Sequence, residues 1–101
     1  MALDLTGENL YPIVKTFTAN QTATEIILPR TCLTVTIGSE THQIYWSNVG
    51  TDGQSLSQHK DFIDGGAKLS VKLGRGSNRT NAIYIETKSA PSATVSLVFE
   101  E

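Results

Sequence analysis

The sequence predicts an all-β protein, a single β-sandwich or jelly-roll of seven to eight short antiparallel strands, on three observations. Apolar residues recur at every second position in five segments. Val, Ile and Thr dominate those segments, where branched side chains suit a pleated sheet. Clusters of Gly, Pro, Asn and Ser punctuate the chain between them. No window of helical length carries apolar residues at three-and-four spacing. At 101 residues one domain is expected, because a chain of this size buries roughly two thirds of its unfolded surface.

From the amino end, Leu3, Leu5, Leu10 and Tyr11 are interspersed with Asp4, Thr6, Gly7, Glu8 and Asn9, and Pro12 then interrupts strand hydrogen bonding. Residues 1–11 therefore read as an N-terminal arm and residues 12–101 as the sandwich. The other reading of the arm is an extra edge strand folded on its own domain. Ile13 to Ala19 and Thr24 to Leu28 are weaker strand candidates. In TCLTVTI, from Thr31, strand alternation places Leu33, Val35 and Ile37 on one side and Cys32, Thr34 and Thr36 on the other. The rhythm returns at Ile44 and Trp46, at Leu69, Val71 and Leu73, at Ile83 and Ile85, and at Val95, Leu97 and Phe99, with a short piece around His59 to Ile63. The expected core is Leu33, Val35, Ile37, Ile44, Trp46, Leu69, Val71, Ile83, Ile85, Val95, Leu97 and Phe99. Two longer connections, Asn48 to Gln58 and GRGSNRTN from Gly74, are where function would sit, with Arg75 and Arg79 projecting from the second.

Composition narrows the chemistry. A formal net charge of -2 with no run of Lys or Arg argues against nucleic acid as a direct ligand. No apolar stretch approaches membrane-spanning length, and the start lacks a signal-peptide pattern, so the expectation is a soluble product of the cytoplasm or of an assembly built there. The lone Cys32 has no intrachain partner, which leaves stability to packing or assembly.

His42 and His59 lack metal-site spacing, so no metal or other cofactor is expected. His59, Asp61, Ser55 and Ser57 supply the residue types of a hydrolase triad, but types without geometry make no active site, and no enzyme activity is expected. Asp61 and Asp64 before Gly65-Gly66 lack the alternating oxygens of a calcium loop. GRGSNR lacks the ending of a phosphate loop. The triplets starting at Asn20 and Asn78 match the glycosylation pattern by chance. Trp46 with Tyr45 and Tyr84 could form a sugar-stacking platform, though alternation puts Trp46 on the inner face.

Three segments carry a resemblance: ILPRTCLTVTIGSETHQIYWS from Ile27, HKDFIDGGAKLSVKL from His59 and NAIYIETKSAPSATVSLVFEE from Asn81. In the order of these units the chain resembles the small β-rich virion proteins of tailed bacteriophages, which decorate or cement the capsid or serve as tail and head-fibre components. The resemblance implies a sandwich or jelly-roll fold, symmetric clustering with a homotrimer favoured, and binding to the major capsid protein between capsomers. It implies a place on the capsid surface of a virion assembled in the bacterial host cytoplasm. No functional residue transfers with it. The interface residues expected on that reading are Leu3, Leu5, Leu10 and Tyr11 of the arm with Arg75 and Arg79. The alternatives are a tail, neck or head-fibre subunit, or a carbohydrate-binding receptor module.

Overall fold

In the computed structural model, which describes residues 2–101, nine strands form two sheets packed face to face. They are β1 (Leu3–Asp4), β2 (Ile13–Ala19), β3 (Thr24–Ile27), β4 (Thr34–Ser39), β5 (Ile44–Ser47), β6 (Asp61–Ile63), β7 (Lys68–Lys72), β8 (Ala82–Thr87) and β9 (Ala93–Glu100). One sheet has the order β1-β3-β8-β5-β6 and the other β2-β9-β4-β7. The antiparallel partners nest, β2 with β9, β3 with β8, β4 with β7 and β5 with β6. That nesting is what a long hairpin makes when it rolls up on itself, the jelly-roll order. The strand beyond the expected seven or eight is β1, which pairs parallel to β3 with Leu3 opposite Ile26.

The alternation seen in the sequence becomes the inner faces of the two sheets. Val35, Ile37, Ile44, Ile83, Ile85, Val95, Leu97 and Phe99 are fully buried, and Trp46 nearly so. The Trp46 Nε1 lies buried without a hydrogen-bond partner, a cost of about 1–3 kcal/mol that its ring packing must offset. Leu69 and Val71 are only half-buried, because β7 is an edge strand flanked by β4 alone.

Around Cys32 the expected alternation fails. Strand β4 begins at Thr34, and Pro29 to Cys32 form a turn in which the Cys32 N–H donates to the Pro29 carbonyl at 3.4 Å. The turn rotates the side chains, so Cys32, expected outside, is fully buried, and Leu33, expected inside, is half-buried at one end of the sandwich.

Of the arm at residues 1–11, Met1 lies outside the described residues. The rest lies on its own domain. The Leu5 N–H donates to the Ile27 carbonyl at 2.9 Å, the Leu5 side chain is 4% exposed, and Leu3 and Tyr11 pack against the core. An Asx turn, in which Asp4 Oδ1 accepts from the N–H and hydroxyl of Thr6, then bends the chain outward and leaves Leu10 86% exposed.

Both longer edge strands carry lysine. Lys15 occupies an inward position of β2 and pairs with Glu8 at 3.2 Å, and Lys68 and Lys72 flank β7. Charges placed this way discourage strand addition at an edge. At the β6–β7 turn, Gly66 adopts φ +85 and donates its N–H to the Ser39 carbonyl, and a Cβ on Gly65 would sit 2.4 Å from the Thr41 carbonyl oxygen.

Because Leu5 is inside and Leu10 outside, Leu5→Ala is expected to cost about 2–5 kcal/mol in urea unfolding and Leu10→Ala less than about 0.5 kcal/mol. Equal effects would mean that the arm does not dock on its own domain in solution.

Candidate functional site

The turn at Pro29–Cys32 and the loop at Gly74–Asn81 meet at one end of the sandwich, and Arg79 joins them. Its Nη2 donates to the carbonyls of Pro29 at 2.6 Å and Cys32 at 3.1 Å, and its Nη1 donates to Asn81 Oδ1 at 2.9 Å. The loop reaches this position because Gly74 and Gly76 adopt φ of +77 and +65, the left-handed region open to glycine. Burial pushes the Cys32 thiol up from its ordinary value, against the opposing pull of the Arg79 guanidinium, so the thiol stays neutral.

Arg79 is held by neutral groups, so its charge is not cancelled by any of them. Arg30 and Arg75 line the same depression of about 440 Å³, together with Thr31, Leu33 and Glu101. Among the described residues neither Arg30 nor Arg75 makes a hydrogen bond or a close ion pair, although Arg30 adds to the Thr6 hydrogen bonds that hold the Asp4 carboxyl below its ordinary value. The Tyr11 hydroxyl lies 2.9 Å from that of Thr31 and draws the end of the arm alongside.

Of the residues nominated from the sequence, the structure thus brings Tyr11, Arg75 and Arg79 to one end, with exposed Leu10 adjacent in the chain. Leu3 and Leu5 are turned instead onto β3 and the core. Arg79 spends its donors within the chain, and the freer cation is Arg30, which sequence reasoning missed. Its one signal is a basic residue directly after Pro29 in a turn.

The other long connection, between β5 and β6, folds back over the outer face of the five-stranded sheet. Its backbone is tied to β3 and the turn before it: the Ala23 N–H donates to the Gln54 carbonyl, the Gly53 N–H to the Ala23 carbonyl, and the Glu25 N–H to Asp52 Oδ1. This last bond holds the Asp52 carboxyl below its ordinary value. Leu56 is buried beneath the loop, and its N–H donates to Glu86 Oε1 at 2.5 Å. A Cβ on Gly50 would come within 3.0 Å of the Tyr84 ring, so only glycine lets the loop lie this close. The Tyr84 hydroxyl donates to Glu25 Oε2 at 2.7 Å, which pushes its pKa up to about 12.

The triad suggested by residue types is not assembled. Asp61 accepts from the Phe62 N–H, Ser55 Oγ is 3.4 Å from the Gln21 carbonyl, and the carboxylate near His59 is Glu86, 4.0 Å away. Glu86 was legible only as an outward position of β8 opposite Tyr45. The His59 ring stacks on Tyr45 with centroids 3.9 Å apart. Asp64 accepts from the Gln43 amide, Asn20 Oδ1 accepts from the N–H and hydroxyl of Thr22 in a turn, and no group of three or more metal-ligating side chains occurs among the described residues. Nor does the aromatic platform form: Trp46 is in the core, His59 covers Tyr45, and Tyr84 lies under the loop.

Compared with known proteins, the chain matches no family model, no curated protein and no solved structure.

Arg79→Ala is expected to lower stability by about 1–3 kcal/mol, since it strips hydrogen bonds from partly buried carbonyls, while Arg75→Ala changes it by less than about 0.5 kcal/mol. Denaturant midpoints of the two variants check this. In an alkaline titration followed by tyrosinate absorbance, Tyr84 is expected to ionise at about 12. Its pKa is raised in the fold, so the stability it contributes is complete below the ordinary tyrosine value of about 10 and is lost as pH climbs through about 12. Glu25→Gln should bring that ionisation back toward the ordinary tyrosine value; an unchanged curve would refute the bond.

Proposed function

We propose that this chain is a non-catalytic virion structural protein of a tailed bacteriophage, a capsid cement or decoration subunit that binds the major capsid protein and sister copies, with a trimer favoured. The observation that carries the reading is the end of the sandwich where Arg30 and Arg75, which make no hydrogen bond or close ion pair among the described residues, share a depression with Arg79. Guanidinium groups already set around one depression suit an acidic patch on a protein, because each can bind a carboxylate through two parallel hydrogen bonds. In a chain of net charge -2 such a local excess also orients the approach of a partner.

The outer face of the four-stranded sheet supports the contact between sister copies. Val14, Val98, Thr36 and Ser70 lie in one row across its strands, and Thr16 and Ser96 lie in the next. Short side chains lose little entropy when covered, and Val14 is 62% exposed. With the longer edges guarded by lysine, face-to-face packing suits self-association better than pairing through them. The resemblance in layout to phage decoration proteins points the same way. Jelly rolls serve viral capsids and lectins alike, so fold by itself is only an analogy.

The test is addition of purified protein to particles of the virus that encodes it, prepared without it. Wild type is expected to bind in register with the capsid lattice by cryo-microscopy, more weakly as salt rises, and to restore heat resistance. The Arg30→Glu, Arg75→Glu double variant is expected to fold normally and fail to bind. Particles that lack the protein and are no less stable, with no density for added protein on the capsid, would refute the proposal.

A further inference from the structure

Beside the end just described, the chain has a second concave surface, on the side of the five-stranded sheet where the long loop enters and leaves. It is a depression of about 560 Å³ lined by Ser47, Asn48, Val49, Gln58, His59 and Lys60. Its shape is set by backbone bonds: the Val49 N–H donates to Ser47 Oγ at 3.0 Å, and the Lys60 N–H donates to the Trp46 carbonyl at 2.9 Å. His59 is held from below by its stack on Tyr45, and its Nε2 lies 4.0 Å from Glu86 Oε1. Phe62, directly opposite Tyr45 across β5 and β6, is 52% exposed.

Among the described residues the side chains of Asn48, Gln58 and Lys60 make no hydrogen bond and no ion pair. Two amides therefore stand ready beside an imidazole ring, while Phe62 lies outside the lining. We infer that this depression is a saccharide-binding site, independent of the arginine-lined end and of the role proposed for it.

The chemistry selects a sugar over other occupants. A sugar hydroxyl both donates and accepts, and a side-chain amide does the same, so Asn48 and Gln58 can each satisfy neighbouring hydroxyls of one ring. The C–H face of that ring is apolar and suits the flat imidazole of His59, which lines the depression. An apolar ligand would leave the amides unpaired, which is costly once they are covered. The volume lies within the range of small-ligand sites.

The experiment is amide NMR of the full chain titrated with glucose, galactose, mannose, N-acetylglucosamine and glucuronate, each to about 100 mM, a range that detects the weak affinities of single sugars. At least one is expected to shift the amides of residues 47–49 and 58–62 saturably. Preference for glucuronate would assign an acidic sugar held by Lys60, and preference for a neutral one would assign the amides as the main contacts. Either supports the site. Asn48→Ala and Gln58→Ala, both at exposed positions, are expected to weaken binding at least about tenfold while leaving the unfolding midpoint unchanged. Arg30→Glu with Arg75→Glu should leave binding intact, which keeps this result separate from the capsid test. No saturable shift with any of the five sugars, or shifts unaffected by both substitutions, would overturn the inference.

Discussion

Everything else in the molecule rests on the apolar contact between its central strands. Ile83 and Ile85 of β8 and Val95, Leu97 and Phe99 of β9 are fully buried, and each of these strands is hydrogen-bonded on both sides. They follow one another in the chain but belong to opposite sheets, so the turn between them crosses the core. Thr87 secures that crossing, with its hydroxyl on the Ala90 carbonyl and its N–H on the Asn20 carbonyl. Removing water from these side chains is worth roughly 1.5–3 kcal/mol each, the scale needed to hold together a small sandwich whose lone cysteine forms no disulfide.

On that frame, the two concave surfaces depend on a few polar anchors. Arg79 fastens the glycine loop to the Pro29–Cys32 turn, and through it Arg75 comes to share a depression with Arg30. Glu86 does the equivalent work under the long loop, holding the Leu56 N–H and standing beside His59. Both anchors are charged groups with few alternatives in a half-buried setting, where a hydrogen bond to a charge is stronger than one between neutral groups. Loops held in this way present their outward side chains in a fixed arrangement, a requirement for recognition at a surface.

Much of the fold was legible because strand alternation is a local property. Segment Ile13–Ala19 is a strand over its full expected length, and the Val35, Ile83 and Val95 stripes face inward. The reading failed where the chain leaves the sheet. At Cys32 a turn replaced the assumed strand and reversed two side chains, and at Leu69 and Val71 the alternation was right but an edge position left the face partly open. The binding surfaces were the least legible. Arg75 could be nominated from its loop, whereas Arg30 and Glu86 became notable only through neighbours distant in sequence.

By itself, then, the sequence determined the all-β class, most of the inward stripes, and the positions of the turns, because each follows from interactions among residues a few positions apart. The nesting of β2 with β9 and β3 with β8, the burial of Leu5 and Cys32, the meeting of three arginines at one end, and the placing of His59 over Tyr45 were decided only by the tertiary structure. Those pairings join residues far apart in the chain, and which of them form depends on how the two sheets close over their shared core, a choice that no local pattern encodes.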